Sequence, residues 1–130
     1  MTERLVKIVL GDDVFQNILL ENFRYSSSSL ELIVSLENCG EYIKVKILFD
    51  WVYSFRVTDE GDLLKMQDEQ KGEMLTGLYF VEESQYLEWF NEQSANIHDD
   101  AVHYMLATVD DVIDILSSVE PSIELIEGSL

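Results

Sequence analysis

The sequence predicts an α+β domain in which a largely antiparallel β-sheet carries two or three short helices on one face. Two features of the chain lead to this prediction. The first half alternates apolar and polar residues as strands do, whereas the second half adds two segments with helix start signals. With 130 residues, of which 47% are apolar and 11% aromatic, the chain can build a core. One proline and no glycine-rich linker favour a single domain over residues 1–130.

The chain is predicted to begin with two strands. Residues 5–10 are β-prone and end at Gly11-Asp12-Asp13. Residues 14–25 fit both a helical face and an alternating strand. We therefore expect a short turn or helix near 13–17, followed by a strand into Tyr25. The serines at 26–29 are expected to form a loop.

Residues 30–49 predict an antiparallel hairpin that turns at Asn38-Cys39-Gly40. Its buried face is predicted to consist of Leu32, Val34, Ile43, Val45 and Ile47. Lys44 and Lys46 are expected on the exposed face, because a slip of one residue would bury both lysines. Glutamates on the first strand and lysines on the second suit cross-strand pairing.

Residues 51–58 are predicted to form a further strand, which is broken at Asp59-Glu60-Gly61-Asp62. Its aromatic residues alternate, and we expect them to face inward: Trp51, Tyr53 and Phe55. Val52 and Arg56 take the opposite face of the predicted strand.

The second half is predicted to mix strands and helices. A short strand covers 77–81, and Ser84 is a candidate N-cap for a helix. The inward residues of that helix are expected to be Tyr86, Leu87, Trp89 and Phe90. A strand is predicted over 103–108.

The last predicted helix spans 109–117. Thr108-Val109-Asp110-Asp111 resembles a capping box, and an apolar stripe follows it until the chain reaches Pro121. A final strand is predicted over 123–126.

Charge is the most distinctive property of the sequence. The chain carries 26 acidic and eight basic residues, for a net charge of −18. No Lys or Arg follows Lys71, although 13 acids do. Such a field repels nucleic acid and anionic membranes and attracts cationic proteins. We therefore expect a basic protein partner and no binding to nucleic acid or membrane.

One cluster has residue types that could bind a metal: His98, Asp99, Asp100 and His103. Its spacing matches neither helical nor finger sites, so we predict no metal and no cofactor. Asp59-Glu60-Gly61-Asp62 lacks the later ligands of a calcium loop and is predicted to be a solvated turn.

No motif for an activated nucleophile or a phosphate-binding loop is present, and we predict no catalytic residues. A hydrolase that uses a pair of carboxylates is the less favoured alternative. The single cysteine, Cys39, lies between Glu37 and Glu41 and is predicted to be an unreactive thiol. One cysteine and an N-terminus unlike a signal peptide favour a reducing, cytoplasmic location.

Several strings resemble small bacterial proteins encoded beside polymorphic toxins, over residues 45–121. The strings are Phe49-Asp50-Trp51-Val52-Tyr53-Ser54-Phe55-Arg56 with Asp59-Glu60-Gly61, Ser84-Gln85-Tyr86-Leu87-Glu88-Trp89-Phe90, His103-Tyr104, and Asp110-Asp111-Val112-Ile113-Asp114. The resemblance implies an immunity protein, which is a small acidic cytoplasmic protein that inhibits its cognate toxin by stoichiometric binding.

The function predicted from these observations is that of an acidic interaction module, most concretely an immunity protein that blocks a basic toxin such as a nuclease. The predicted partner-binding residues are Glu82, Glu83, Glu88, Glu92, Asp99 and Asp100. On the two predicted helices, Glu88 with Glu92 and Asp110 with Asp114 are expected to be exposed pairs. The alternative is an acidic protein without a basic partner, and the sequence leaves open whether it is a monomer or a dimer.

Overall fold

A computed structural model describes residues 3–8, 16–38, 41–59 and 76–127. The strands are β1 (Arg4–Ile8), β2 (Gln16–Ser26), β3 (Ser29–Asn38), β4 (Glu41–Phe49), β5 (Val52–Asp59), β6 (Gly77–Glu82), β7 (Val102–Ala107), β8 (Asp111–Ser117) and β9 (Ser122–Glu127). Within these ranges there is one helix, α1 (Gln85–Gln93). The predicted α+β fold with two or three helices on one sheet is therefore wrong, and the described residues form a β-rich fold of two sheets.

The two sheets are both antiparallel. One has five strands in the order β1-β6-β7-β8-β5, and the other has four in the order β2-β3-β4-β9. A shared apolar cluster takes residues from strands of both sheets, with Leu30, Leu32, Ile47, Leu106 and Ile113 fully buried in it. We call the face of the five-stranded sheet that enters this core its inner face.

The predicted hairpin over 30–49 is confirmed as β3 and β4. Val34 pairs with Val45, and all five predicted inward residues are buried. Lys44 and Lys46 are half-buried on the opposite face, so their predicted exposure is wrong. Lys46 forms an ion pair with Glu124 at 3.3 Å, because Glu124 is directly opposite it in β9, whereas its neighbour in β3 is the apolar Ile33. The Cys39-Gly40 part of the predicted turn lies outside the described residues.

The strand into Tyr25 is confirmed as β2, and the predicted turn near 13–17 lies mostly outside the described residues. The expected serine loop is a two-residue turn into β3, in which Ser27 and Ser28 have φ of 51° and 67°. Two successive left-handed residues match the twist of a tight hairpin. The predicted strands over 77–81, 103–108 and 123–126 are confirmed as β6, β7 and β9.

The helix predicted over 109–117 is wrong, because Asp111–Ser117 is strand β8, between β7 and β5. Residues 112–117 are all buried, so both faces of this strand are covered. A strand covered on both faces loses the period-two alternation that identifies strands from sequence. The capping signal is genuine local chemistry, but Thr108 Oγ1 accepts the Asp111 backbone N–H at 3.0 Å to close a β-turn.

Strand β5 is confirmed, but its faces match the prediction only in part: Phe55 packs inward and Arg56 is exposed, as predicted. Val52 and Ser54 pair with consecutive residues of β8, so Tyr53 is an extra residue in a β-bulge. The bulge shifts the alternation, so that Val52 and Phe55 both contact the core. Trp51, predicted to face inward, is half exposed.

Helix α1 is confirmed, with Ser84 as its N-cap. The Ser84 Oγ accepts the Leu87 backbone N–H at 2.9 Å. Tyr86 is buried, as predicted, whereas Trp89 is 52% exposed, so its predicted inward position is wrong. The helix lies against β7 on the outer face of the five-stranded sheet.

Candidate functional site

A chain of hydrogen-bonded polar side chains lies beneath the start of α1. The Ser84 Oγ is 2.6 Å from His103 Nδ1, and His103 Nε2 is 2.6 Å from Asp114 Oδ1. The other carboxylate oxygen of Asp114 accepts from Arg56 Nε at 2.9 Å. We call these four residues the buried polar chain, because His103 is only 2% exposed and Asp114 4%.

Three neighbouring strands bring these side chains together. Arg56 of β5 is directly opposite Asp114 of β8. On the other side of β8, Met105 of β7 is opposite Asp114, and His103 lies two residues earlier on the same face. Side chains two residues apart share a face, so His103 reaches Asp114 diagonally. Ser84 then joins the sheet to the helix.

Electrostatics keep Asp114 ionised. Burial alone would raise the pKa of Asp114, but the hydrogen bonds and charge attraction from His103 and Arg56 hold the pKa below its ordinary value of 3.8. A buried carboxylate without such partners would favour its neutral form. The carboxylate therefore depends on both of its neighbours.

Tyr86 packs over the buried polar chain. Its ring meets His103 edge-on at 5.5 Å between centroids, and the Arg56 guanidinium lies 4.3 Å from its centroid. Burial raises the pKa of the Tyr86 phenol, although its hydrogen bond with Ser54 opposes the shift. The aromatic ring thus shields the Arg56–Asp114 pair from water on one side.

The lowered pKa of Asp114 predicts a specific pH dependence of stability. Because the folded-state pKa lies below the unfolded value near 3.8, the charge contributes stability above that pH. The contribution is lost as pH falls through the lower folded-state value. Against Asp114→Asn, which has no carboxyl to titrate there, the wild-type advantage in unfolding free energy should shrink as the pH falls below about 4. Urea unfolding of both proteins across this range measures it, and an advantage that grows on acidification would contradict it.

Two open clefts flank α1. The Arg56 cleft, of about 540 Å³, is lined by Glu3, Ser54, Phe55, Arg56, Gln85, Tyr86 and Trp89. The Glu88 cleft, of about 570 Å³, is lined by Ser84, Leu87, Glu88, Asn91, Glu92 and Asn96. The helix therefore presents an aromatic and cationic recess on one side and an acidic, amide-lined recess on the other.

Five of the six predicted partner-binding residues are exposed around α1: Glu83, Glu88, Glu92, Asp99 and Asp100. We call these five carboxylates the acidic surface. Glu88 and Glu92 line the same cleft, whereas Asp100 accepts a hydrogen bond from the Tyr53 hydroxyl at 3.1 Å. The sixth, Glu82, is paired with Arg4 of β1.

The prediction that Asp110 and Asp114 form an exposed pair on a helix is wrong. Asp114 is buried in the polar chain, and Asp110 lies in the β7–β8 turn, at the other end of β7 from Asp99 and Asp100. Glu120, just before β9, and Glu124, within β9, are also exposed. Acids are thus not confined to one face of the protein.

The two histidines of the candidate metal cluster have different surroundings. His98 stacks on Tyr53 with centroids 4.2 Å apart and on Phe90 at 5.8 Å, which fixes the turn after α1. His103 belongs to the buried polar chain. In the described part of the chain, no group of three or more His, Cys, Asp or Glu residues could hold a metal ion.

The buried polar chain contains the residue types of a nucleophile relay, but its geometry differs. In serine hydrolases the serine contacts Nε2 of the histidine and the aspartate contacts Nδ1. Here Ser84 is at Nδ1 and Asp114 at Nε2, and the serine also caps α1. Because His103 is almost fully buried, the arrangement is best suited to fixing α1 on the sheet.

The sequence analysis did not predict the buried polar chain. One signal was available: Asp114 is the single charged residue of the apolar run 112–116, and His103 precedes a second apolar run. A charge in a buried strand requires a partner. The prediction of an exposed helix removed that requirement.

Comparisons of the chain with protein families, curated proteins and solved structures found no match. None of the helical residues described here belongs to a helix long and apolar enough to cross a membrane.

Proposed function

We propose that this protein is an acidic interaction module that binds a basic protein through the acidic surface and Trp89. The observation that carries the proposal is that α1 presents the half-exposed Trp89 indole on one side and the exposed Glu88 and Glu92 on the other, in a chain with no Lys or Arg after Lys71. Exposed tryptophans are frequent binding hot spots. Surrounding charge increases the rate of encounter with an oppositely charged partner.

The most concrete form of this proposal is a cytoplasmic bacterial immunity protein that covers the cationic site of a toxin. The resemblance noted over residues 45–121 and the net charge of −18 support it. A toxin that acts on nucleic acid needs a basic surface for phosphate, and an acidic protein bound there would exclude the substrate.

The anchoring of α1 supports a binding role. The N-cap Ser84 joins the helix to the buried polar chain, and the Tyr53–His98–Phe90 stack fixes the following turn. Side chains presented from a fixed backbone lose less entropy on association. Both ends of the acidic surface are therefore preorganised.

Co-expression with the product of the neighbouring gene tests the proposal. We expect that product to be toxic on its own, and we expect a one-to-one complex that survives purification and restores growth to the cells. A neighbouring gene product that is neither toxic nor bound would contradict the immunity role.

The charges of the acidic surface are predicted to control the association rate. The double substitution Glu88→Gln and Glu92→Gln should slow association with the basic partner protein by about threefold at low salt. It should also flatten the salt dependence of that rate, because electrostatic steering falls with local charge. Stopped-flow measurements at several salt concentrations give this rate. The control variant is Glu21→Gln with Asp110→Asn, which makes the same change in net charge at exposed sites away from α1. Equal slowing in both variants would contradict a specific role for the acidic surface.

A further inference from the structure

The second sheet has an exposed edge at β9. This strand pairs with β4 on one side, and among the described strands none pairs with its other side. Three of its apolar side chains are well exposed: Ile123 43%, Leu125 39% and Ile126 50%. Natural edge strands usually carry lysine, proline or a bulge that discourages further pairing. The sequence of β9 contains neither lysine nor proline, and its irregularity lies at its end, where Lys44 and Val45 of β4 pair with Glu127 and Leu125 and leave Ile126 as an extra residue.

The inward side of β9 borders an apolar cleft between the sheets. Ile123 and Leu125 pair with Ile47 and Val45, whose side chains are in the core, so they point toward the five-stranded sheet. A cleft of about 410 Å³ lies there, lined by Phe80, Val102, Tyr104, Glu120, Pro121 and Ile123. Most of these groups are apolar, and the cleft opens beside the free edge. We call it the β9 cleft.

The strand count among the described residues leaves one side of the cleft open. Five described strands on one side face four on the other, and β9 ends the smaller sheet opposite the β6–β7 pair, where Phe80 and Tyr104 lie. A strand added to β9 would continue the four-stranded sheet and place every second side chain over the β9 cleft. The position beside β9 thus has the hydrogen-bonding edge and the apolar recess that an added strand requires.

We propose that the free edge of β9 binds an extended segment of a basic partner protein, which adds a fifth strand to the four-stranded sheet. Its apolar side chains fill the β9 cleft, which the exposed Glu120 borders. Its Lys or Arg side chains alternate with them on the opposite face of the sheet, near Glu124, which is exposed although it pairs with Lys46. A second copy of this chain is disfavoured because it would bring another charge of −18 to the same edge. The proposal goes beyond the α1 surface and does not depend on it.

A synthetic ten-residue peptide of alternating valine and lysine is the probe. We expect it to bind the full chain and to protect the backbone amides of residues 122–127 from hydrogen exchange. The same peptide with N-methylated alternate amides cannot add a strand, and a valine–glutamate peptide has the wrong charge. Each should bind at least about tenfold more weakly, since backbone pairing gives affinity and like charges repel.

A pair of protein variants assigns the binding to the cleft. Ile123→Ser should weaken peptide binding by about fivefold or more, because it removes apolar contact from the β9 cleft. Ile97→Ser, at a position that is 75% exposed in the turn after α1, is the matched control and should leave binding unchanged.

Three results would overturn the proposal. They are no peptide binding at millimolar concentration, binding that N-methylation does not weaken, and peptide-free dimers that Ile123→Ser dissociates in sedimentation. The last would assign the edge to a second copy of the chain. None of these results bears on the association rates of the α1 variants, so the two proposals fail separately.

Discussion

Replacing Asp114 with alanine is expected to lower the free energy of unfolding by about 3 kcal/mol. The substitution leaves His103 buried without its partner at Nε2 and removes the carboxylate that pairs with Arg56. A buried donor without an acceptor loses its hydration and gains nothing in exchange. Because Arg56 is half exposed, water can solvate the guanidinium and limit the loss.

Urea unfolding at neutral pH measures this effect. Asp110→Ala, an exposed aspartate in the preceding turn, is the control and should change stability by less than about 0.5 kcal/mol. Asp114→Asn should fall between the two, because the amide oxygen can still accept from His103. A loss below about 1 kcal/mol for Asp114→Ala would mean that the buried polar chain adds little to stability.

Truncating Leu106 to alanine is expected to cost about 2–5 kcal/mol, because the leucine is fully buried in the core between the sheets. The loss combines the transfer of apolar surface with the cavity that the surrounding strands cannot close. Thermal or urea unfolding measures it, and Ile97→Ala is the control, with an expected change below about 0.5 kcal/mol. Similar losses for both variants would contradict the assignment of the core.

The strands with one polar and one apolar face were predictable from sequence. In β3 and β4 the alternation selects the buried face, and a slip of one residue would have moved the lysines into the core. The same alternation located β5, whereas β6, β7 and β9 were located as short β-prone runs, and β6 and β7 are largely buried on both faces. The helix at 85–93 was predictable because Ser84 is a genuine N-cap.

Strand β8 was not predictable from its pattern. Its spacing of apolar residues fits a helical stripe as well as a fully buried strand, and only the presence of β7 and β5 on either side decides between them. The branched side chains of Val112, Ile113 and Ile115 favour a strand, whereas the capping signal favours a helix, and the two preferences are of similar size. Tertiary pairing therefore overrode the local signal at Thr108.

The candidate site was predictable only in its exposed part. Five of the six predicted carboxylates around α1 are exposed, as a net charge without nearby bases implies. The exposure of Trp89 and the formation of the buried polar chain depend on how α1 packs on the sheet and on the bulge at Tyr53. A bulge reverses the faces of a strand after one residue, and no sequence period indicates where that occurs.

The strand order also determines when the protein can fold during synthesis. Arg4 of β1 pairs with Glu82 of β6, and Val45 of β4 pairs with Leu125 of β9. The pairing of β1 must therefore wait until β6 has left the ribosome, and the pairing of β4 with β9 must wait until β9 has done so. Proteins dominated by such distant pairings fold in milliseconds to seconds, which is slow for a chain of this length. During that interval the apolar strands are exposed, and mutual repulsion of the surplus carboxylates keeps nascent chains apart until the sheets close.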